Sequence, residues 1–126
     1  MSVAKRVGGE GGPLEPPESV QVGPFTYTLE FDQTALDREA HRREESLAGI
    51  ARHAEQRIIV DPDQHGDGAR EVVLHEVLHC VNVVTGQKGR MDHDEEERLV
   101  NAMSPTLLDT LRRNPRLVAW LMSSGS

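Results

Sequence analysis

The 126-residue chain has one cysteine, one tryptophan, one tyrosine and two phenylalanines. A single thiol, Cys80, cannot close an internal disulfide and fits a reducing compartment, so a cytoplasmic location is expected. With aromatics at 3%, the stacking platforms that hold single-stranded nucleic acid are missing. Basic runs are scarce, none longer than Arg42-Arg43 or Arg112-Arg113, against a net charge of -7 and a pI of about 5.3. No nucleic-acid partner is therefore expected. No apolar run approaches the roughly 20 residues of a membrane span, and Lys5 and Arg6 precede no apolar signal-peptide core, so no membrane association is expected. What remains has the size of a single domain, with 37% hydrophobic and 28% charged residues.

Residues 1–24 carry Gly8, Gly9, Gly11, Gly12, Gly23 and Pro13, Pro16, Pro17, Pro24 but few large apolar groups. Such a segment buries too little to offset its ordering entropy, and it reads as a flexible arm pinned near Val20 and Val22. A single domain is expected over 25–123. Phe25, Tyr27, Leu29 and Phe31 alternate with polar residues and predict a half-buried strand. Residues 33–46 are rich in charge and helix formers, predicting a solvated helix. Gly49-Ile50-Ala51 and Arg57-Ile58-Ile59-Val60 predict two short strands, the second stopped by Asp61-Pro62-Asp63. From Ala69 to Thr85, Val73, Val77, Val81 and Val84 form a helical stripe flanked by Val72, Leu74 and Leu78, which predicts a buried helix. A further helix is predicted from about Asp92 to Met103. Pro105 is then expected to start another running to Arg113, and a short terminal helix to pack through Leu117, Val118, Trp120 and Leu121.

The buried helix carries a polar stripe. His75-Glu76-Val77-Leu78-His79 is H-E-x-x-H, a pattern expected roughly 0.03 times by chance at this length and composition. Histidines at i and i+4 project from one helical face, so both imidazoles can reach one Zn²⁺ at about 2.0–2.1 Å. The glutamate between them is placed to take a proton from water activated by the metal. Asn82, seven residues after His75, is a candidate to orient a ligand imidazole. His93 and His65, in loops beside the helix, are candidates to steady the oxyanion of a tetrahedral intermediate. Cys80 points away from the histidine pair and reads as a core residue.

A catalytic zinc takes three protein ligands and keeps an open position. The metzincin form requires glycine and histidine where this chain has Asn82 and Thr85, so the third ligand must come from elsewhere. The acidic cluster Asp94-Glu95-Glu96-Glu97, opening the next helix, is the best source. Glu96 lies at the middle of that helix's apolar face, three and four residues before Leu99 and Val100, and Glu97 lies nearer its edge.

The HEVLH helix followed by EEERLVNAMSP resembles the gluzincin arrangement, in which a glutamate one helix later completes the zinc site. More narrowly, the chain resembles the small minigluzincin and ImmA/IrrE-like metallopeptidase families, often found in phages and mobile elements. These carry E-x-x-A-N on the second helix, matched here by Glu97-Arg98-Leu99-Val100-Asn101 with Val100 in place of alanine. That match implies Glu97 as the ligand, whereas the helical face points to Glu96. Both stand as candidates, with Glu97 slightly preferred.

The expected fold is α+β and zincin-like: a small three-stranded antiparallel sheet (about 25–31, 47–53 and 56–61) packed on the HExxH helix and closed by C-terminal helices. The expected function is zinc-dependent hydrolysis of peptide bonds, with one Zn²⁺ on His75, His79 and Glu97 or Glu96, and Glu76 as general base. The alternative is a catalytically silent zinc-binding module for regulation or protein interaction. The chain has little material for a substrate cleft, so a homodimer or a partner protein is expected to supply walls around a peptide or protein substrate.

Overall fold

Gly23-Pro24 interrupts two runs of strand-forming residues, and the chain turns there. In the computed structural model, which describes residues 14–43 and 47–124, β1 (Ser19–Val22) and β2 (Phe25–Phe31) pair antiparallel across this turn. Gly23 has φ +57°, and a Cβ there would lie 2.8 Å from Val84 Cγ1, so both conformation and packing call for glycine. The segment expected to be a flexible arm therefore contains a strand, pinned by buried Val22 and half-buried Val20. Residues 1–13 lie outside the described residues.

The sheet has four strands in the order β1-β2-β4-β3, where β3 is Gly49–Arg52 and β4 is Arg57–Val60. β3 and β4 run antiparallel, but β2 and β4 run parallel. The α+β class holds, while the expected three-stranded antiparallel sheet is corrected to a four-stranded mixed one. The reason lies in β4, whose Ile58, Ile59 and Val60 are each at most 1% exposed. Ile58 and Val60 join Tyr27, Leu29 and Cys80 in one cluster, whereas Ile59 packs with Ile50 and Leu36 in another. A strand buried on both faces belongs inside a sheet, and α1 (Gln33–Arg43) lies in the long connection that a parallel pair needs. α1 is accordingly less solvated than its composition suggests. Leu36 is buried, as is Glu39, whose carboxylate accepts hydrogen bonds from Arg42 Nη2 at 2.7 Å and Arg52 Nη1 at 2.5 Å. Residues 44–46 of the expected helix lie outside the described residues.

α2 (Gly66–Val84) lies against both the sheet and α3 (His93–Arg113). Val72, Val73, Val77 and Val84 pack on the sheet cluster, but the helix is half-buried along most of its length rather than enclosed. Asp92 caps α3 by accepting from Glu95 N, and the Glu95 side chain accepts from Asp92 N in return. The expected break at Pro105 does not occur, and α3 continues through it to Arg113. Pro105 removes the N–H that would pair with the Asn101 carbonyl; both residues are exposed, so water can replace that bond. α4 (Pro115–Met122) begins on Pro115 as expected. It packs less than its sequence suggests: Val118 is half-buried, while Leu117, Trp120, Leu121 and Met122 are exposed. Among the described residues, no helix is long and apolar enough to cross a membrane.

Candidate metal centre

Successive turns of α2 bring His75 and His79 together with ring centroids 4.8 Å apart and Nε2 atoms 3.2 Å apart. α3 starts beside them, and its fourth and fifth residues bring two adjacent carboxylates to two different edges of His79. Glu97 Oε1 lies 2.6 Å from His79 Nε2 and 3.8 Å from His75 Nε2. Glu96 Oε2 instead lies 3.0 Å from His79 Nδ1, on the opposite side of the ring. One donor atom from each of His75, His79 and Glu97 falls within 4.8 Å of the others, and this group can hold a metal ion. Between the two glutamates the structure thus gathers Glu97, and not Glu96, with the histidine pair.

The donor set suits zinc. A tetrahedral Zn²⁺ with ligands at 2.0–2.1 Å sets its donor atoms about 3.3–3.4 Å apart, and the three observed separations of 2.6, 3.2 and 3.8 Å bracket that value. Glu96 accepts the Nδ1–H of His79, which leaves the Nε2 lone pair for the cluster. Burial, reinforced by the neighbouring His79, holds His75 below the ordinary imidazole range and so favours the neutral ligand form. Burial would raise the Glu96 carboxyl, but hydrogen bonds from Lys88, His79 and Asn82 outweigh it and hold the group at about 2. Lys88 Nζ is 2.5 Å from Glu96 Oε1 and Asn82 Nδ2 is 3.3 Å from Oε2, so this fully buried carboxylate stays charged. Asn82, expected to orient a ligand imidazole, donates instead to Glu96, the carboxylate beside His79 Nδ1.

Glu76 is 6% exposed and lines the same cavity as the cluster, a space of about 270 Å³. A second cavity of about 320 Å³ shares Leu47, Gly49, His75, Glu76 and Glu97 with the first. β3 borders both and, as the last strand of the sheet, has one edge unpaired among the described residues. Gly49 makes the approach possible: a Cβ there would lie 2.7 Å from Val72 Cγ1 and 3.4 Å from Glu76 Cγ. The larger apolar hollow of about 580 Å³, bordered by Leu14, Phe31 and Leu108, shares no residue with these two.

His93 lines the first cavity but is exposed. His65 does not reach the site: its Nδ1 lies 2.8 Å from the Asp63 carbonyl oxygen and its ring borders the apolar hollow. Cys80 is fully buried, and burial pushes its thiol up to about 12, so it stays protonated in the core. His53 and Lys88, which sequence reasoning missed, also line the first cavity. His53 sits just past β3 and carries no local pattern; for Lys88 the available signal was a cation, with Arg90 close by, eight residues before an acid on the apolar face of the next helix. Comparison with protein-family models, curated proteins and solved structures finds no match for this chain.

Proposed function

We propose that the chain is a zinc-dependent metallopeptidase of the gluzincin kind, with a minimal zincin-like fold and a resemblance to the minigluzincin and ImmA/IrrE-like families. The observation that carries this reading is the convergence of His75, His79 and Glu97, with Glu76 opening on the same cavity. A bound Zn²⁺ would supply the Lewis acidity that makes water a nucleophile at neutral pH. The Glu76 carboxylate takes the proton from the attacking water and returns it to the leaving amine. His79 is held in its ligating tautomer by Glu96, and Lys88 and Asn82 keep Glu96 ionised. The free edge of β3 offers backbone hydrogen bonds to an extended peptide, which would lie across both cavities with its scissile bond at the cluster. A single buried, protonated cysteine suits work in the cytoplasm.

A catalytically silent zinc-binding interaction module is favoured by one feature, the exposed apolar residues Leu117, Trp120, Leu121 and Met122 on α4. Glu76→Gln separates the two readings. The peptidase reading expects zinc to stay bound while cleavage of a quenched-fluorescent peptide mixture falls about 10²–10⁴-fold. Undiminished cleavage by the variant would remove Glu76 from its role. A wild-type chain that binds zinc and a protein partner but cleaves nothing would favour the module.

A further inference from the structure

His53 belongs to neither the ligand cluster nor its hydrogen-bonded support, yet its half-buried ring borders the cavity on which Glu76 and the cluster open. Its position is fixed from behind. Tyr27 is 2% exposed, its hydroxyl is 3.3 Å from His53 Nδ1, and the two rings meet edge-on with centroids 6.0 Å apart. The same hydroxyl interacts with the buried Cys80 thiol. Of the two acceptors available to the phenolic proton, an imidazole nitrogen is far stronger than a thiol sulfur. Donation of the phenolic proton to Nδ1 would place the ring's own hydrogen on Nε2. His93, the other histidine on this wall outside the cluster, is exposed and has no side-chain hydrogen bond to any described residue.

We propose that His53 is a catalytic residue of this site: a hydrogen-bond donor, fixed in its Nε2–H tautomer by Tyr27, that meets the carbonyl oxygen of a bound peptide as that carbon becomes tetrahedral. The inference rests on the metallopeptidase reading and adds the electrophilic side of the reaction. Glu76 handles the proton of the attacking water, and His53 stabilises the negative charge that develops on the substrate oxygen. Burial first, and then the nearby charge of Lys88, keep the imidazole below its ordinary range, so it donates as a neutral group. Tyr27 is a positioning residue, acting only through the tautomer it selects.

The test uses the full zinc-loaded chain and a phosphinic peptide, whose tetrahedral phosphorus mimics the oxygen geometry of the reaction. His53→Ala should weaken binding of this probe by at least about tenfold with zinc content unchanged. His53→Gln, which keeps an N–H near the Nε2 position, should recover most of the loss. Nitrogen-15 NMR of the wild type should show the His53 hydrogen on Nε2, and Tyr27→Phe, a mild change in the core, should mix the two tautomers. A hydrogen on Nδ1 in the wild type, or probe affinity within twofold of wild type in His53→Ala, would overturn the proposal even with zinc bound. A wild-type chain that takes up no zinc would defeat the underlying reading and this inference with it, and the metal measurement alone identifies that outcome.

Discussion

Glu96 and Glu97 are neighbours in sequence but lie about 100° apart around α3, and that rotation sends them to opposite sides of the His79 ring. Glu96 heads the buried stripe Glu96, Val100 and Ser104, and reaches the back of His79. Glu97 sits at the seam between α2 and α3, where its carboxylate meets both imidazoles. The histidine pair was legible in the sequence because i,i+4 spacing fixes a shared face within one helix. The choice of glutamate stayed open there, the resemblance preferring Glu97 and the helical face Glu96, because a carboxylate at the seam between two helices lies at the edge of the buried face rather than at its centre. Glu97→Ala should abolish stoichiometric zinc, whereas Glu96→Ala should weaken it about 10–100-fold, measurable by competition with a chromophoric chelator. Glu96 also makes stability depend on pH. Its folded value of about 2 lies below the ordinary 4.5, so the unfolded chain takes up the proton first as pH falls. The contribution, on the order of 3 kcal/mol, is complete above about pH 4.5 and lost as pH falls toward about 2. Urea midpoints of zinc-free protein should fall more steeply between pH 6 and pH 3 in wild type than in Glu96→Gln.

Among the elements, β3 and α3 carry the most testable consequences. Gly49 lets β3 lie against α2 beside Glu76, and a methyl group there would press on Val72. Gly49→Ala should cost about 1–3 kcal/mol and lower the melting temperature, with activity falling further than stability as the β3 edge shifts. Pro105→Ala should act in the opposite direction. It restores a helical hydrogen bond at an exposed position of α3 and should stabilise the chain by up to about 3 kcal/mol, without changing metal affinity. The continuity of α3 was not legible because proline usually ends a helix; here the buried contacts of Val100 and Ser104 before it and an exposed surface around it carry the helix through. The parallel pairing of β2 and β4 did leave a trace, in the unbroken apolar run Ile58-Ile59-Val60. Alternation in β2 pointed to a half-solvated antiparallel sheet, and α1 showed only Ala35, Leu36 and Ala40 as apolar cover, too few to reveal that it closes the second face.

At the scale of the whole molecule, a mixed four-stranded sheet is held between α1 on one face and α2 on the other, and α3 completes a polar site at the α2–β3 edge. The contacts of that site from Lys88 to Glu96, across the α2–α3 connection, and from Tyr27 to His53, 26 residues apart, join residues that no helical or strand period relates, which is why sequence spacing alone did not find them. Because two helices supply the proposed ligands, zinc should stabilise the fold as a unit: at 100 times its dissociation constant it should add about 2.7 kcal/mol, seen as a rise in melting temperature that a chelator reverses. His75, His79 and Glu97 are proposed to form one metal centre. Metal content per chain, measured by mass spectrometry on wild type and on His79→Ala, Glu96→Ala and Glu97→Ala, tests it most directly. One zinc is expected in wild type, none in His79→Ala or Glu97→Ala, and a weakened but present zinc in Glu96→Ala. No zinc in wild type after dialysis against added metal, or full zinc retention in Glu97→Ala, would contradict it.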